Sequence, residues 1–541
     1  MTILFNVGSL YFCIFIQYYR VYKMSLQSSS VPVGISLVQI GSDKCCQRAF
    51  VNRTLWYRAS VFILTYAAYS CYHLSRKPIS VVKNVLNQNC SDVTPTPGVV
   101  INASNKSNWC DYAPFDGNNA ETLLGALDSA YLFSYAASMF LSGFVAERMN
   151  LRYFLAIGMI TSGIFSYLFG IAKSYEIHYL WYFIIVQILA GVVQSTGWPG
   201  VVTVVGNWFG KKKRGIIFGL WNSHTSVGNI LGSLIAGEYV EQDWSLSFIV
   251  PGILIAAMGF IIFLFLVSRP SDVNCPLPDQ VSPERPHPHG YERVSTEEPV
   301  EDDENEMQEL TRRPYREDSP IISTHPVSEQ PIGFIGALRI PGVVEYSLSL
   351  FFAKLVSYTF LYWLPHYIKS STTLSPAESA QLSTLFDVGG IGGAIVAGGI
   401  SDYTGMSATT CSGMLLLTIP MMFLYEDYGT NGFLTNVVLL ILVGFLVNGP
   451  YALITTAVSA DLGTHHSLEG NAKALATVTA IIDGTGSIGA AVGPLLAGVV
   501  VNTGWENVFY MLMVADVFSL LLLIRLVKRE IQTTRSHRLI L

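Results

Sequence analysis

Uncharged apolar runs of about 20 residues, the length that carries a helix across a bilayer, recur along this chain with short polar turns between them. Phe248 to Val267 contains no Asp, Glu, Lys or Arg, nor does Tyr153 to Ala172, and Phe433 to Ala460 is longer still. The pattern predicts twelve spans, near 55–86, 122–146, 152–173, 178–207, 213–239, 247–268, 342–369, 376–401, 408–425, 432–459, 469–501 and 505–527. The expected fold class is an all-α membrane protein in two six-helix halves, 55–268 and 341–527. A segment 1–54 precedes them, 269–340 links them, 88–121 forms a long loop after span one, and 528–541 is a tail.

Composition supports that class. Of 541 residues, 51% are hydrophobic and 13% charged, against about 25% charged in soluble domains. Acidity is concentrated between the halves: residues 268–333 hold 15 Asp/Glu and 6 Lys/Arg, and the remainder of the chain is mildly basic. A Pro-rich, acidic stretch of that kind buries too little apolar surface to fold alone, so it reads as a disordered linker. Lys211 to Arg214, Arg148 and Arg152, and Arg525, Lys528, Arg529, Arg535 and Arg538 all fall on one side of a twelve-span topology. Basic loops stay cytosolic, which places both termini and the linker in the cytosol. The opposite side carries three glycosylation sequons, at Asn89, Asn102 and Asn105. Cys90 and Cys110 flank this loop and form either a lumenal disulfide or two free thiols. Residues 4–16 are apolar but too short to span and lack the marks of a signal peptide, and Met24 is an alternative start.

Two turns repeat between the halves. Gly143 precedes Glu147 and Arg148 after span two, and Gly398 precedes Asp402 after span eight. Paired halves of this kind mark transporter folds. The glycines are expected to admit close helix approach, and Glu147, Arg148 and Asp402 to take part in gating, or else to be plain membrane-edge charges. No nucleophile stands beside a base, and neither His465-His466 nor the cysteines show metal-ligand spacing. No enzyme activity, metal, cofactor or nucleic-acid partner is expected.

The candidate chemistry lies in span one. Ala59 to Leu74 is uncharged, then Arg76 and Lys77 stand side by side with no acid within a helical turn. A cation in hydrocarbon costs about 3 kcal/mol or more and is kept for a water-filled path or an anionic partner. The substrate itself is a candidate for the missing anion.

Several segments together resemble one family. Tyr72-His-Leu-Ser-Arg-Lys-Pro-Ile-Ser80, Gly197-Trp-Pro199, Gly206-Asn-Trp-Phe-Gly210, Trp221-Asn-Ser-His-Thr-Ser-Val-Gly228 and Asn448-Gly-Pro-Tyr451 running to Gly463 are similar to the sugar-phosphate exchangers of solute carrier family 37. These belong to the organophosphate:phosphate antiporter group of the major facilitator superfamily. The resemblance covers about 53–275 and 331–530. It implies twelve helices in two pseudo-symmetric halves within the endoplasmic reticulum membrane, exchanging a sugar phosphate, glucose 6-phosphate above all, for inorganic phosphate. It implies that Arg76 grips phosphate, with Lys77 beside it and His224 in a substrate or gating role. Tyr69, Tyr72, Asn222 and Tyr358 are further candidate ligands, with aromatic packing as the alternative for the tyrosines. Bacterial relatives carry a second arginine in span seven where this chain has Ser357. Lys354, one turn earlier, either replaces it or pairs with Asp387 or Asp483. Two other readings stay open: a proton-coupled carrier using Asp128 or Asp387, and a membrane scaffold docking through its acidic loop.

Overall fold

The computed structural model describes residues 31–37, 53–88, 90, 101, 109–209, 220–276, 334–463 and 473–540. Asn89, Asn102 and Asn105, the Lys211 to Arg214 loop, the side chain of Glu147, the linker body 277–333 and residues 1–30 lie outside them.

A helix stands at each of the twelve expected spans. The first half comprises Arg53–Arg76 continued by Pro78–Leu86, then Ala120–Arg148, Leu151–Ser174, Leu180–Gln194 continued by Gly197–Trp208, His224–Val240 and Leu246–Phe265. The second comprises Val343–Ser371, Pro376–Thr404, Ser407–Tyr428, Phe433–Leu453 extended through Gly463, Lys473–Val500 and Trp505–Ile540. Among the described residues, nine are long and apolar enough to be taken as membrane spans on those grounds alone, and spans one, two and five are not among them. Those three carry much of the polar chemistry described below. Leu141, Trp181, Phe433 and Leu434 are at least 70% exposed, an outer surface that hydrocarbon covers without cost and water does not.

The limits of the linker differ from expectation. Pro270–Val273 forms a helical turn and Phe334–Leu338 a short helix. Val273, Cys275, Ala337 and Ile340 are buried, so both ends of the stretch pack against the halves. The last helix continues through the expected tail to Ile540.

Two spans break where their sequences require it. Pro78 has no N–H to donate and its ring crowds the preceding turn, so span one stops at Arg76 and restarts at Pro78. Span four breaks at Ser195 and Thr196. Span ten carries a π-helical turn, Ile454–Val458, closed by Ser459 Oγ donating to the Ile454 carbonyl at 2.8 Å. Such turns concentrate at functional sites.

Close helix contacts rest on glycines other than the repeated pair. Gly143 and Gly398 face open space, contrary to the expectation. Among the described residues, no other helix comes within 4 Å of a Cβ placed at either position. Spans eight and ten interlock instead: a Cβ on Gly389 or Gly393 would lie 2.0 Å from the Ile441 or Phe445 carbonyl oxygen, and one on Gly444 2.0 Å from that of Phe386. Each half has its own apolar core. A further core, containing Ile79, Val82, Leu127, Tyr358, Trp363 and Ala490, is shared by both. It lies toward the face that bears the Cys90–Cys110 disulfide, the disulfide face below; the face bearing Arg53 and Ile540 is the terminal face.

Gly393→Leu is expected to force spans eight and ten apart, at a cost of about 1–3 kcal/mol or more. Gly399→Leu, into open space, is expected to leave stability unchanged. Thermal melting of detergent-solubilised variants, followed by size-exclusion recovery, separates the two.

Candidate substrate site

Arg76 ends the first segment of span one, where the helix carbonyls leave partial negative charge that favours a cation. Its side chain points into the first half and is 5% exposed. Nε donates to Gln194 Oε1 at 2.7 Å. The guanidinium carbon sits 4.7 Å from the centre of the Tyr135 ring and 6.0 Å from that of Tyr131. Nη2 is buried without a hydrogen-bond partner, and no acid pairs with Arg76 among the described residues. Its surroundings are hydroxyls, amides and aromatic faces: Ser75, Tyr131, Ser162, Ser166, Gln187 and Gln194 line a cavity of about 30 Å³ at this point, with Tyr362 contributed by the second half. That volume holds water rather than a hexose phosphate, so the site is closed down here.

Three neighbouring intramembrane lysines are occupied. Lys77 reaches across to the second half and donates to the Leu361 carbonyl at 2.7 Å, so Arg76 and Lys77 face different environments. Lys83, which sequence reasoning passed over, is fully buried against Asp128, donates to the Tyr362 carbonyl at 3.2 Å and sits 4.0 Å from the Trp363 ring centre. Lys354 pairs with Asp483 at 2.7 Å. The structural alternative for Lys354 therefore holds in this state, because span eleven brings a carboxylate beside it. Ser357 donates to Asn448 at 2.7 Å.

The tyrosines and His224 divide by environment. Tyr69 is packed among Trp198, Trp221 and His224, with ring centres 5.4, 6.4 and 4.6 Å away. Tyr72 shares a hydrogen bond of 3.1 Å with Thr196. Both rings pack in the core of the first half, 5.9 Å from each other. His224 is completely buried, its Nδ1 3.2 Å from Thr225 Oγ1 and its Nε2 without a partner. Asn222 and Tyr358 line a second cavity of about 30 Å³ between the halves, with Ser226, Asn229, Ser357 and Asn448. Sequence reasoning missed Tyr131, Tyr135 and Gln194. Their signal was two tyrosines four residues apart on span two and a glutamine inside an apolar run.

The halves are locked toward the disulfide face. His366 places Nδ1 2.9 Å from Asn84 Oδ1 and Nε2 2.8 Å from Glu121 Oε1, joining spans seven, one and two. Ser129 donates to Ala491 at 2.9 Å and Thr122 to Gly498 at 3.2 Å. Deeper in, Asn229 accepts from His73 at 3.1 Å and donates to Asp387 at 2.8 Å. Arg148 and Asp402 stand exposed at the terminal face. Asn207 and Trp208, from one of the family-like segments, donate to the Ser268 and Val267 carbonyls at 3.0 and 2.8 Å, tying span four to the end of span six. Outside the membrane, Asp243 is partly buried, which opposes its charge, yet Lys173 at 2.9 Å and Ser245 hold its carboxyl below the usual range.

Two six-helix bundles locked at one face around a buried, unpaired cation are the architecture of a major facilitator carrier. The Major Facilitator Superfamily model matches residues 116–472. The chain is 57% identical over 491 residues to the glucose-6-phosphate exchanger SLC37A2 of Mus musculus, covering 90% of this chain and 94% of that protein. It is 58% identical to the Homo sapiens protein of the same name over 486 residues, covering 90% and 94%, and 50% identical to the Mus musculus glucose-6-phosphate exchanger SLC37A1 over 502 residues, covering 89% and 94%. A bacterial homologue of the human lysosomal transporter Spinster, solved inward-facing and unoccupied, shares the fold with a TM-score of 0.53 and 14% identity, over 88% of this chain and 97% of that one. The chain belongs to the Major Facilitator Superfamily and, within it, to the sugar-phosphate exchangers of solute carrier family 37.

Lys83 and Asp128 are fully buried together. Lys83→Met or Asp128→Asn alone leaves one charge stranded and is expected to cost about 3–5 kcal/mol. The double variant is expected to recover most of that loss. A double-mutant cycle on thermal unfolding in detergent checks the coupling.

Proposed function

We propose that this protein exchanges a sugar phosphate, glucose 6-phosphate first among them, for inorganic phosphate by alternating access. The observation that carries the reading is Arg76: a guanidinium 5% exposed, with one terminal nitrogen unpartnered and no carboxylate paired to it among the described residues. The guanidinium fork matches phosphate oxygens in geometry and charge. Phosphate and a sugar phosphate present the same group to it, so they compete for one site. The polar cavity lined by Asn222, Tyr358, Ser357 and Asn448 suits the hydroxyls of a sugar.

Exchange follows from electrostatics. Closing both faces on an empty site leaves the Arg76 charge in a medium of low dielectric, which is unfavourable. A bound phosphate offsets that charge and lets the halves rock. The His366–Glu121–Asn84 contacts hold one closed face, and their release exposes the site on that side. Lys354 joins the site when its pairing with Asp483 loosens, and Lys77 and His224 respond to the same rearrangement. Glu147, Arg148 and Asp402 serve the opposite face. The proton-coupled reading needs Asp128 or Asp387 free to titrate; Asp128 is engaged by Lys83 and Asp387 by Asn229, which favours exchange.

The proposed setting is the endoplasmic reticulum membrane, with the termini and the acidic linker cytosolic and the Cys90–Cys110 loop lumenal and glycosylated at Asn89, Asn102 and Asn105. N-glycosidase treatment is then expected to raise the gel mobility of the wild type and not of the triple Asn→Gln variant.

Uptake of labelled glucose 6-phosphate into proteoliposomes tests the activity. Uptake is expected only with phosphate or sugar phosphate trapped inside, and to vanish in Arg76→Ala with the protein still folded by melting. Uptake into phosphate-free vesicles at the wild-type rate, or full exchange by Arg76→Ala, overturns the reading.

A further inference from the structure

Arg76 is held by a neutral side chain. Gln194 is 3% exposed and uses both ends of its amide. Its Oε1 accepts from Arg76 Nε at 2.7 Å and from Tyr131 OH at 2.5 Å, and its Nε2 donates to Ser75 Oγ at 2.9 Å. The amide orientation is thereby fixed, since the reverse would set two donors against each other. Local sequence puts it there. Gly191 lets span four press on span two, where a Cβ would lie 2.3 Å from the Tyr131 carbonyl oxygen. Gln194, one turn later, then meets the Tyr131 hydroxyl. It is also the last residue before span four breaks.

The chemistry at this position has two requirements. The guanidinium must be fixed so that its free edge meets an anion, and its charge must stay uncompensated so that an anion is needed. A carboxylate would satisfy the first and defeat the second. An amide oxygen accepts the Nε hydrogen without cancelling the charge, and leaves Nη2 unpartnered. We infer that Gln194, supported by Tyr131 and Ser75, is the positioning residue that orients Arg76 while keeping the charge available to phosphate, and so enforces obligatory exchange. This rests on the reading that Arg76 binds the phosphoryl group.

Gln194→Glu supplies the counter-charge internally. The groups facing this position are Arg76 from span one, Tyr131 and Tyr135 from span two and Tyr362 from span seven; Arg76 alone among them is charged at neutral pH. In proteoliposomes at neutral pH, Gln194→Glu is expected to raise KM for phosphate and for glucose 6-phosphate together by tenfold or more. Lowering the pH protonates the introduced carboxyl and restores an amide-like group, so the ratio of the variant's KM to that of the wild type at the same pH is expected to fall toward one as pH drops; taking the ratio removes the titration of the substrate's own phosphate, whose second pKa is about 6. Gln194→Met keeps the volume but removes the oxygen; it is expected to raise KM at every pH, with Vmax retained and no acid rescue. Wild-type KM values in both variants, alongside an inactive Arg76→Ala, overturn the role of Gln194 and leave the exchange reading standing. Equal losses in both variants without acid rescue mark Gln194 as structural and also overturn it. Full exchange by Arg76→Ala removes the reading and the inference together. If Gln194→Glu fails to give folded protein, Gln194→Met decides: a wild-type KM overturns the role and a raised KM at full Vmax upholds it.

Discussion

A buried charge with no counter-charge among the described residues is the constraint from which the rest of this structure follows. Arg76 is screened by two aromatic faces and one amide oxygen, none of which cancels it. Low dielectric makes such a charge costly. The fold tolerates it by placing it at a helix end and beside a polar cavity. The cations nearest to it are arranged differently. Lys83 and Lys354 have carboxylates, and Lys77 has a carbonyl of the opposite half. These three help hold the bundle, whereas Arg152, buried at the terminal end of span three, also keeps Nε and Nη1 unpartnered.

This contrast also separates the two cavities. The one beside Arg76 belongs mainly to the first half, whereas the one lined by Asn222 and Tyr358 lies between the halves and is rich in neutral donors and acceptors. A substrate with an anionic head and a hydroxylated body matches that division of labour. Both cavities are small in this state, and the shared core and the His366 contacts explain why. Apolar burial and directional bonds converge toward the disulfide face, where the halves are held together.

Much of the architecture was legible in the sequence because hydrophobic run length is a strong signal: all twelve spans have helices. Arg76 was legible because no acid stands near it along the chain. The partners were less so. Asp483 lies 129 positions from Lys354 and Gln194 118 from Arg76, and periodicity does not encode which helices will meet. Lys83 escaped notice because it sits near a span end, where a lysine ordinarily reaches toward the surface, and only the fold buries it beside Asp128. The glycines misled for a related reason. A glycine four residues before an acid looks like a packing site, but whether another helix crosses there depends on tilt. Gly389, Gly393 and Gly444 carry the crossing because spans eight and ten meet at mid-membrane.

The interruption at Pro78 divides span one between two bodies. Arg53–Arg76 contributes Tyr57, Val61, Tyr69 and Tyr72 to the core of the first half, whereas Pro78–Leu86 contributes Ile79, Val81, Val82 and Leu86 to the core that both halves share. Proline has already removed the hydrogen bond that would resist bending at this point. Gly232 of span five presses on the same place, where a Cβ would lie 2.7 Å from both the Leu74 carbonyl oxygen and the Lys77 Cβ. Span one is thus a jointed rod rather than a beam, with its cation mounted at the joint. In the proposed cycle a phosphoryl group held by Arg76 would act on the pivot itself, and its small displacement would become a change of angle that the far end of the rod delivers to the opposite half.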